Sequence, residues 1–300
     1  MRLFDRQVRV AIGESGGSGF EIGAAGADGI PLHVKFSFEK ADVENPNTGK
    51  VTIWNLNKEH LAALEKKDCI VAVRAGYAGS ISEAFQGTVT HASTTKEGAD
   101  CMTEIELSSG MVELRDTDFS LSYAEGTKTD VIYQEAAAQM GLPLSSSAGA
   151  VERPTVLTAG FSFVGGAKSL LNRVTRMDGI NWTIQDGVLQ LLKPGEPISM
   201  NCYELNAQSG LIGVPKRVNI SAGSGSSKGG SETAQAGGES AQLGWEVTYL
   251  MNLAIGVNSY IHISSEAVNG YFRVQKISID GDNYEGDWQC KATVLEVTGV

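Results

Sequence analysis

Asn269-Gly270-Tyr271-Phe272-Arg273-Val274 runs on to Ile279, meets the acidic turn Asp280-Gly281-Asp282-Asn283-Tyr284-Glu285-Gly286-Asp287, and resumes at Trp288. This stretch decides the fold. Its first arm is very short of strand breakers, and the second alternates Trp288, Cys290, Ala292 and Val294 on one face, the period of a half-buried strand. Two further strands precede it, Trp245–Leu253 and Ser259–Ser264. Ahead of those stands Gly210-Leu211-Ile212-Gly213-Val214-Pro215, followed by 221–242, which holds mostly Gly, Ser, Ala, Gln and Glu. A segment of that composition cannot bury enough surface to order itself and is expected to be a flexible insert. The last third therefore reads as strands, tight turns and one long loop.

The first third reads the same way. Leu32, Val34, Phe36 and Phe38 alternate with His33, Lys35 and Ser37, and Thr103–Leu107 repeats the pattern. Val51–Asn55, Ile70–Ala75 and Phe85–Thr90 are further strand candidates, and Gly13–Gly29 reads as a long hairpin connection. One helix is expected, Lys58–Lys66, capped by Asn57. The middle changes character. Thr127 with Asp130 resembles a capping box before a helix from Lys128 to Met140, and Gly141 supplies the stop. A second helix, Gly165–Asp178, places Leu170, Leu171, Val174 and Met177 on one face. Asp186-Gly187 between Ile180–Gln185 and Val188–Lys193 is a strong hairpin signal. The expected fold is mainly β with an α+β middle: a small β-barrel or sandwich over 1–115, a two-helix α+β domain over 116–195, and a second β domain over 196–300.

Composition narrows the function. With 36 glycines and only 7 prolines, the chain suits turn-rich β structure. The net charge of −11 is spread along the sequence, so no basic face offers itself to phosphates and sequence-specific nucleic-acid binding is not expected. An acidic surface would instead let DNA slide past without sticking. Cys69, Cys101, Cys202 and Cys290 form no C-x-x-C pair and read as reduced, buried thiols. No run of ~18 apolar residues and no leader pattern occurs, so stable membrane association is not expected, and folding in a cytoplasm is.

Chemistry-bearing patterns fail one by one. Gly13–Gly19 lacks the Lys-Ser/Thr that a phosphate loop needs, since Phe20 and Glu21 follow it. His33, His60, His91 and His262 have no i, i+3 or i, i+4 spacing for a metal pair. There is no G-x-S-x-G elbow. The run Asp280, Asp282, Asn283, Glu285, Asp287 lacks the EF-hand order and its closing Glu, so it reads as an acidic turn. No cofactor, metal site or catalytic residue is expected.

The order of several segments resembles the bacteriophage tail (baseplate) hub proteins, including the baseplate hub of T-even phages and related tail-tip hubs. The segments are Met1–Val10, Asn45-Pro46-Asn47-Thr48-Gly49-Lys50-Val51-Thr52-Ile53-Trp54-Asn55-Leu56, Ala75-Gly76-Tyr77, Phe85-Gln86-Gly87-Thr88-Val89, Met140-Gly141-Leu142, and Asn181 through Leu189. Gly210–Pro215, Asn269–Val274 and Gly286-Asp287-Trp288 complete the set, and 221–242 departs from it. The resemblance implies two tail-tube-like barrels flanking the middle domain. It implies a homotrimer whose six barrels form a ring, with a tail-tube protein above, a central spike below and other baseplate proteins around. Such a ring initiates the tube and lines the channel through which DNA passes, in a virion tail. The residues expected at assembly interfaces are Pro46, Asn47, Gly49, Gly210, Leu211, Ile212, Gly213, Pro215, Asp282, Tyr284 and Asp287.

Two other classes compete. A tail-associated peptidoglycan hydrolase would use Glu104, Glu106 or Asp287 as acid or base. A carbohydrate- or receptor-binding β module would display clustered aromatics, whereas Trp54, Trp182, Trp245 and Trp288 lie far apart in sequence.

Overall fold

The computed structural model of the chain describes residues 5–14, 19–23, 32–151, 154–220 and 242–297. The expected flexible insert lies outside these residues, apart from Gln242. The first region holds β1 (Arg6–Glu14), β2 (Gly19–Gly23), β3 (Val34–Ala41), β4 (Asn47–Trp54), α1 (Lys58–Leu64), β5 (Cys69–Tyr77), β6 (Ser80–Glu97) and β7 (Asp100–Ser109). The middle holds α2 (Met111–Asp116), β8 (Asp118–Tyr123), α3 (Thr129–Gln139), β9 (Leu144–Ser146), α4 (Ala148–Val151), β10 (Phe161–Gly166), α5 (Ala167–Asp178), β11 (Asn181–Gln185) and β12 (Val188–Leu192). The last region holds β13 (Cys202–Leu205), β14 (Leu211–Ile220), β15 (Gln242–Leu250), β16 (Tyr260–Ser264), β17 (Asn269–Asp282) and β18 (Trp288–Glu296).

The chain is mainly β with a small α+β part. Among the described residues, thirteen strands form one hydrogen-bonded sheet: eleven in the order β14-β15-β18-β17-β3-β4-β7-β6-β5-β1-β2, with β16 paired to β17 and β13 paired to β16. The two β regions are thus joined edge to edge by β3 and β17, with Phe38 opposite Ile279 and Lys35 opposite Asp282. They share a single hydrophobic cluster. Alternation builds it: Val34, Phe36 and Phe38 point inward from β3, and Trp288, Cys290, Ala292 and Val294 point inward from β18. The rings of Phe36, Phe38 and Phe85 stack in series at 5.1 and 4.8 Å. Burying each such ring stabilises the fold by roughly 1.5–3 kcal/mol.

The middle has a separate core, in which Ile132 and Ala136 of α3 meet Leu170, Leu171 and Val174 of α5 around Trp182. The Trp182 indole is satisfied at 2.6 Å by Asn172. Asp186 and Gly187 both take positive φ (50° and 73°), the two-residue turn that the sequence announces.

Polar contacts, in contrast to the apolar clusters, tie this unit to the sheet. The 41–47 connection runs along β11: Gln185 Nε2 donates to the Ala41 carbonyl at 2.8 Å, and Thr183 Oγ1 donates to that of Val43 at 3.2 Å. Two buried cations complete the seam, Lys40 paired with Asp186 and Arg273 paired with Asp42. Arg273 also donates to Asn258 at 2.6 Å, and Asn258 donates to Gln190 of β12 at 3.2 Å.

Several sequence expectations need correction. Thr127 does not cap α3: its hydroxyl donates back to the Ala124 carbonyl, and the helix starts at Thr129 behind Lys128. The second helix begins at Ala167, because Phe161–Gly166 is a strand paired with β8. Met177 is exposed, although it follows the helical spacing of the buried set. Gly13–Gly29 is no simple connection, since Gly19–Gly23 forms β2 against β1. Phe85–Thr90 belongs to the 18-residue β6, which pairs with β5 by its first half and with β7 by its second. Of the cysteines only Cys69 and Cys290 are buried; Cys101 and Cys202 are exposed, because each occupies an outward phase of its strand. Asn57 does cap α1, accepting from the His60 amide at 2.7 Å.

Candidate functional site

The acidic turn between β17 and β18 is tightly organised. Asp282 is nearly buried; its Oδ1 accepts from the Tyr284 and Glu285 amides at 2.9 and 3.2 Å and lies 2.9 Å from His33 Nε2. Arg6 donates to the Asp282 carbonyl at 2.9 Å. Asn283 finishes β3 by accepting from the Val34 amide and donating to the Leu32 carbonyl. The carboxylate and amide that invite a calcium reading are consumed by the backbone they organise. Tyr284 and Asp287 remain exposed at the tip. His33 stacks on Trp54 at 3.9 Å and meets Tyr284 at 4.9 Å. His33 and Trp54 are absent from the residues expected from sequence. Only the β3–β17 pairing brings them beside Asp282; the one local signal is that His33 sits on the polar phase of its strand.

Gly210–Pro215 opens β14, the edge strand of the sheet. Gly210 takes φ +108° against Leu250, a conformation that favours glycine. The pairing with β15 slips between Ile212 and Lys216, so Gly213-Val214-Pro215 bulges outward. Pro215 is buried, Leu211 is half-buried, and Ile212, Gly213 and Val214 are exposed. Beside Gly210 lies a cleft of about 410 Å³, where Ala75–Tyr77 of the first region face Leu250–Ala254 of the last. Among the described residues, no charged side chain lines it.

Asn47 and Gly49 turn inward. Asn47 is buried; its Oδ1 accepts from the Ala41 amide at 3.0 Å, and its Nδ2 donates to Gln185 at 2.9 Å. Gly49 lies under Phe38, where an added Cβ would be 2.6 Å from the ring. Both hold the chain's own parts together, with Pro46 half-buried next to them.

The carboxylates proposed for hydrolysis are spoken for differently. Glu104 pairs with Lys50 at 2.7 Å, and Glu106 stands opposite Lys50 and His91 on an exposed ladder. Among the described residues no group of three His, Cys, Asp or Glu side chains could hold a metal ion. Burial pushes the Cys290 thiol up to about 12, and burial together with the hydrogen bond to Asp178 raises the Tyr133 hydroxyl.

No family model matches this chain, and no curated protein matches it in sequence. Solved structures do match in fold. The 43 kDa tail protein of prophage MuSo2 from Shewanella oneidensis superposes with a TM-score of 0.62 at 10% identity, over 96% of each chain. A tail protein from Neisseria meningitidis MC58 gives 0.60 at 10% identity, over 98% of this chain and 97% of its own. A component of the E. coli type VI secretion system, itself similar to T4 bacteriophage tail proteins, gives 0.59 at 8% identity, over 89% of this chain and 74% of its own. Taken from end to end, the fold of this chain is the fold of phage tail proteins.

Proposed function

We propose that this chain is a structural hub of a phage or phage-like tail. Three copies form a ring in which the two β regions of each copy contribute six similar units, flanked by the middle α+β domain. The ring joins a six-fold tube to a three-fold spike, initiates tube assembly and passes DNA through an acidic channel that does not bind it. Its place is the tail of the virion, among other baseplate proteins. The observation that carries this reading is the match over 96% of both chains to a prophage tail protein of nearly the same architecture. The absence of charge from the cleft beside Gly210 and the pairing of Glu104 with Lys50 support a part that assembles over one that hydrolyses.

Electron micrographs of the purified chain test the proposal. Annular particles with three-fold symmetry are expected, and they should nucleate tubes when a tail-tube protein is added. Dispersed single chains at high concentration, or a zone of clearing on cell walls that is abolished by Glu104→Gln, would overturn it.

A further inference from the structure

We propose that the middle unit is a docked body that swings away from the sheet as one piece: 111–196 turns about Gly110 and Pro197 while both apolar clusters stay closed. The inference concerns a single chain and does not depend on how many copies assemble.

The apolar clusters set the division. The cluster of the sheet and that of the middle unit have no residue in common. Burial of apolar surface, the dominant favourable contribution to folding, therefore acts within each body and not across the seam. What crosses the seam is polar. Lys40 pairs with Asp186, Gln185 donates to the Ala41 carbonyl, Thr183 to that of Val43, Asn47 to Gln185, and Asn258 to Gln190. Thr183, Gln185, Asn47 and Asn258 are buried while the bodies are docked. Water can replace each of these bonds once the bodies part. Lys40, buried in the docked form, then regains the hydration it gave up, which offsets the loss of its partner. Two further contacts, Lys168 to Asn45 at 3.0 Å and Arg115 to Asp68 at 3.3 Å, are exposed and add little. Domains joined by a polar interface of this kind move relative to one another, unlike domains fused by a shared core.

The chain passes between the bodies at two narrow points. Ser109 is still paired with Asn47 in the sheet, and the Leu114 amide already donates to the Gly110 carbonyl in α2. Gly110 itself takes φ +80°, in the left-handed region that favours glycine. On the return, Glu196 belongs to the middle unit, its carboxylate accepting from the Ser147 hydroxyl and the Gly149 amide, both at 3.1 Å. Ile198 already belongs to the sheet, donating to the Asn258 carbonyl at 3.0 Å. Pro197 stands between the two. Hinges take this form, a few residues at the ends of elements that absorb the change of angle between rigid parts. Opening bares β11, an end strand of its three-stranded sheet, together with the 41–47 connection beside it.

The test reads how often buried groups meet solvent. In the unmodified chain Lys40 is probed with acetic anhydride, and Cys69 and Cys290 of the sheet core with a thiol reagent, each site being resolved by mass spectrometry. Lys40 should be acetylated at urea concentrations too low to make Cys290 reactive; modification of the two only together would overturn the proposal. A second arm starts from Cys101→Ser and Cys202→Ser, which remove the exposed thiols, and adds Thr183→Cys at the seam or Val174→Cys in the core of the middle unit. Position 183 should react about a hundredfold faster than position 174 or Cys290, because it is uncovered by a local opening and they are not. Equal rates at 183 and 174 would mean that the middle unit melts instead of swinging. A rate at 183 no faster than that of Cys290 would mean that the seam opens only with the whole fold. Either result overturns the proposal. Adding Asp186→Asn leaves Lys40 unpaired in the docked form and should speed reaction at 183 by about tenfold, with 174 unchanged; an unchanged rate at 183 would also overturn it.

Discussion

Gly281 has the Phe36 ring where a side chain would stand: a Cβ would come within 2.2 Å of Cζ. Phe36 is packed between Phe38 and Trp288, which hinders its withdrawal. Gly281→Ala should therefore destabilise the chain by ~1–3 kcal/mol, read from a urea midpoint; an unchanged midpoint would show that the ring yields. Cys290 gives a second residue-scale expectation. Burial lifts its thiol from 9.0 to about 12, so the folded chain keeps a proton that the unfolded chain gives up. The contribution of this group is then constant below pH 9 and falls as pH rises from there toward 12, by up to about 1.4 kcal/mol per unit. Cys290→Ser should flatten that decline between pH 9 and 10; equal slopes for the two chains would contradict it. The inward phase of Cys290 is legible in the Trp288–Val294 alternation. The constraint on Gly281 is not, because it comes from a ring some 245 positions away, brought near by pairing that no local pattern encodes.

Elements that carry their own signals are legible. The Asp186-Gly187 hairpin, the Asn57 cap and the Gly141 and Gly179 stops depend only on nearby residues. Thr127 shows the limit: its hydroxyl has a competing carbonyl three residues back, which the chain uses instead of the helix amides. The seam between the middle unit and the sheet is equally hidden, since Lys40 sits in a strand phase that otherwise holds Phe36 and Phe38. Its buried pair of Arg273 and Asp42 supplies the expectation at this scale. Asp42→Ala strands the guanidinium in the interior and should cost about 3–5 kcal/mol. Adding Arg273→Met should recover most of that loss, because it removes the orphaned charge; a double variant no more stable than the single would refute the argument.

At the scale of the whole molecule, composition and alternation suffice for a mainly β chain with an α+β middle. They do not reveal that β3 and β17 fuse the two β regions into one sheet, for register between distant strands is set by packing. Nor do they separate assembly residues from internal ones. Asn47 and Gly49, expected at an assembly interface, make contacts within the chain, whereas Tyr284, expected there too, stands in solvent. The account's central claim is that three chains make one particle. Light scattering on the purified protein measures this directly. It should return three times the 31.7 kDa chain mass, held on dilution through the micromolar range. A single-chain mass across that range would contradict the account.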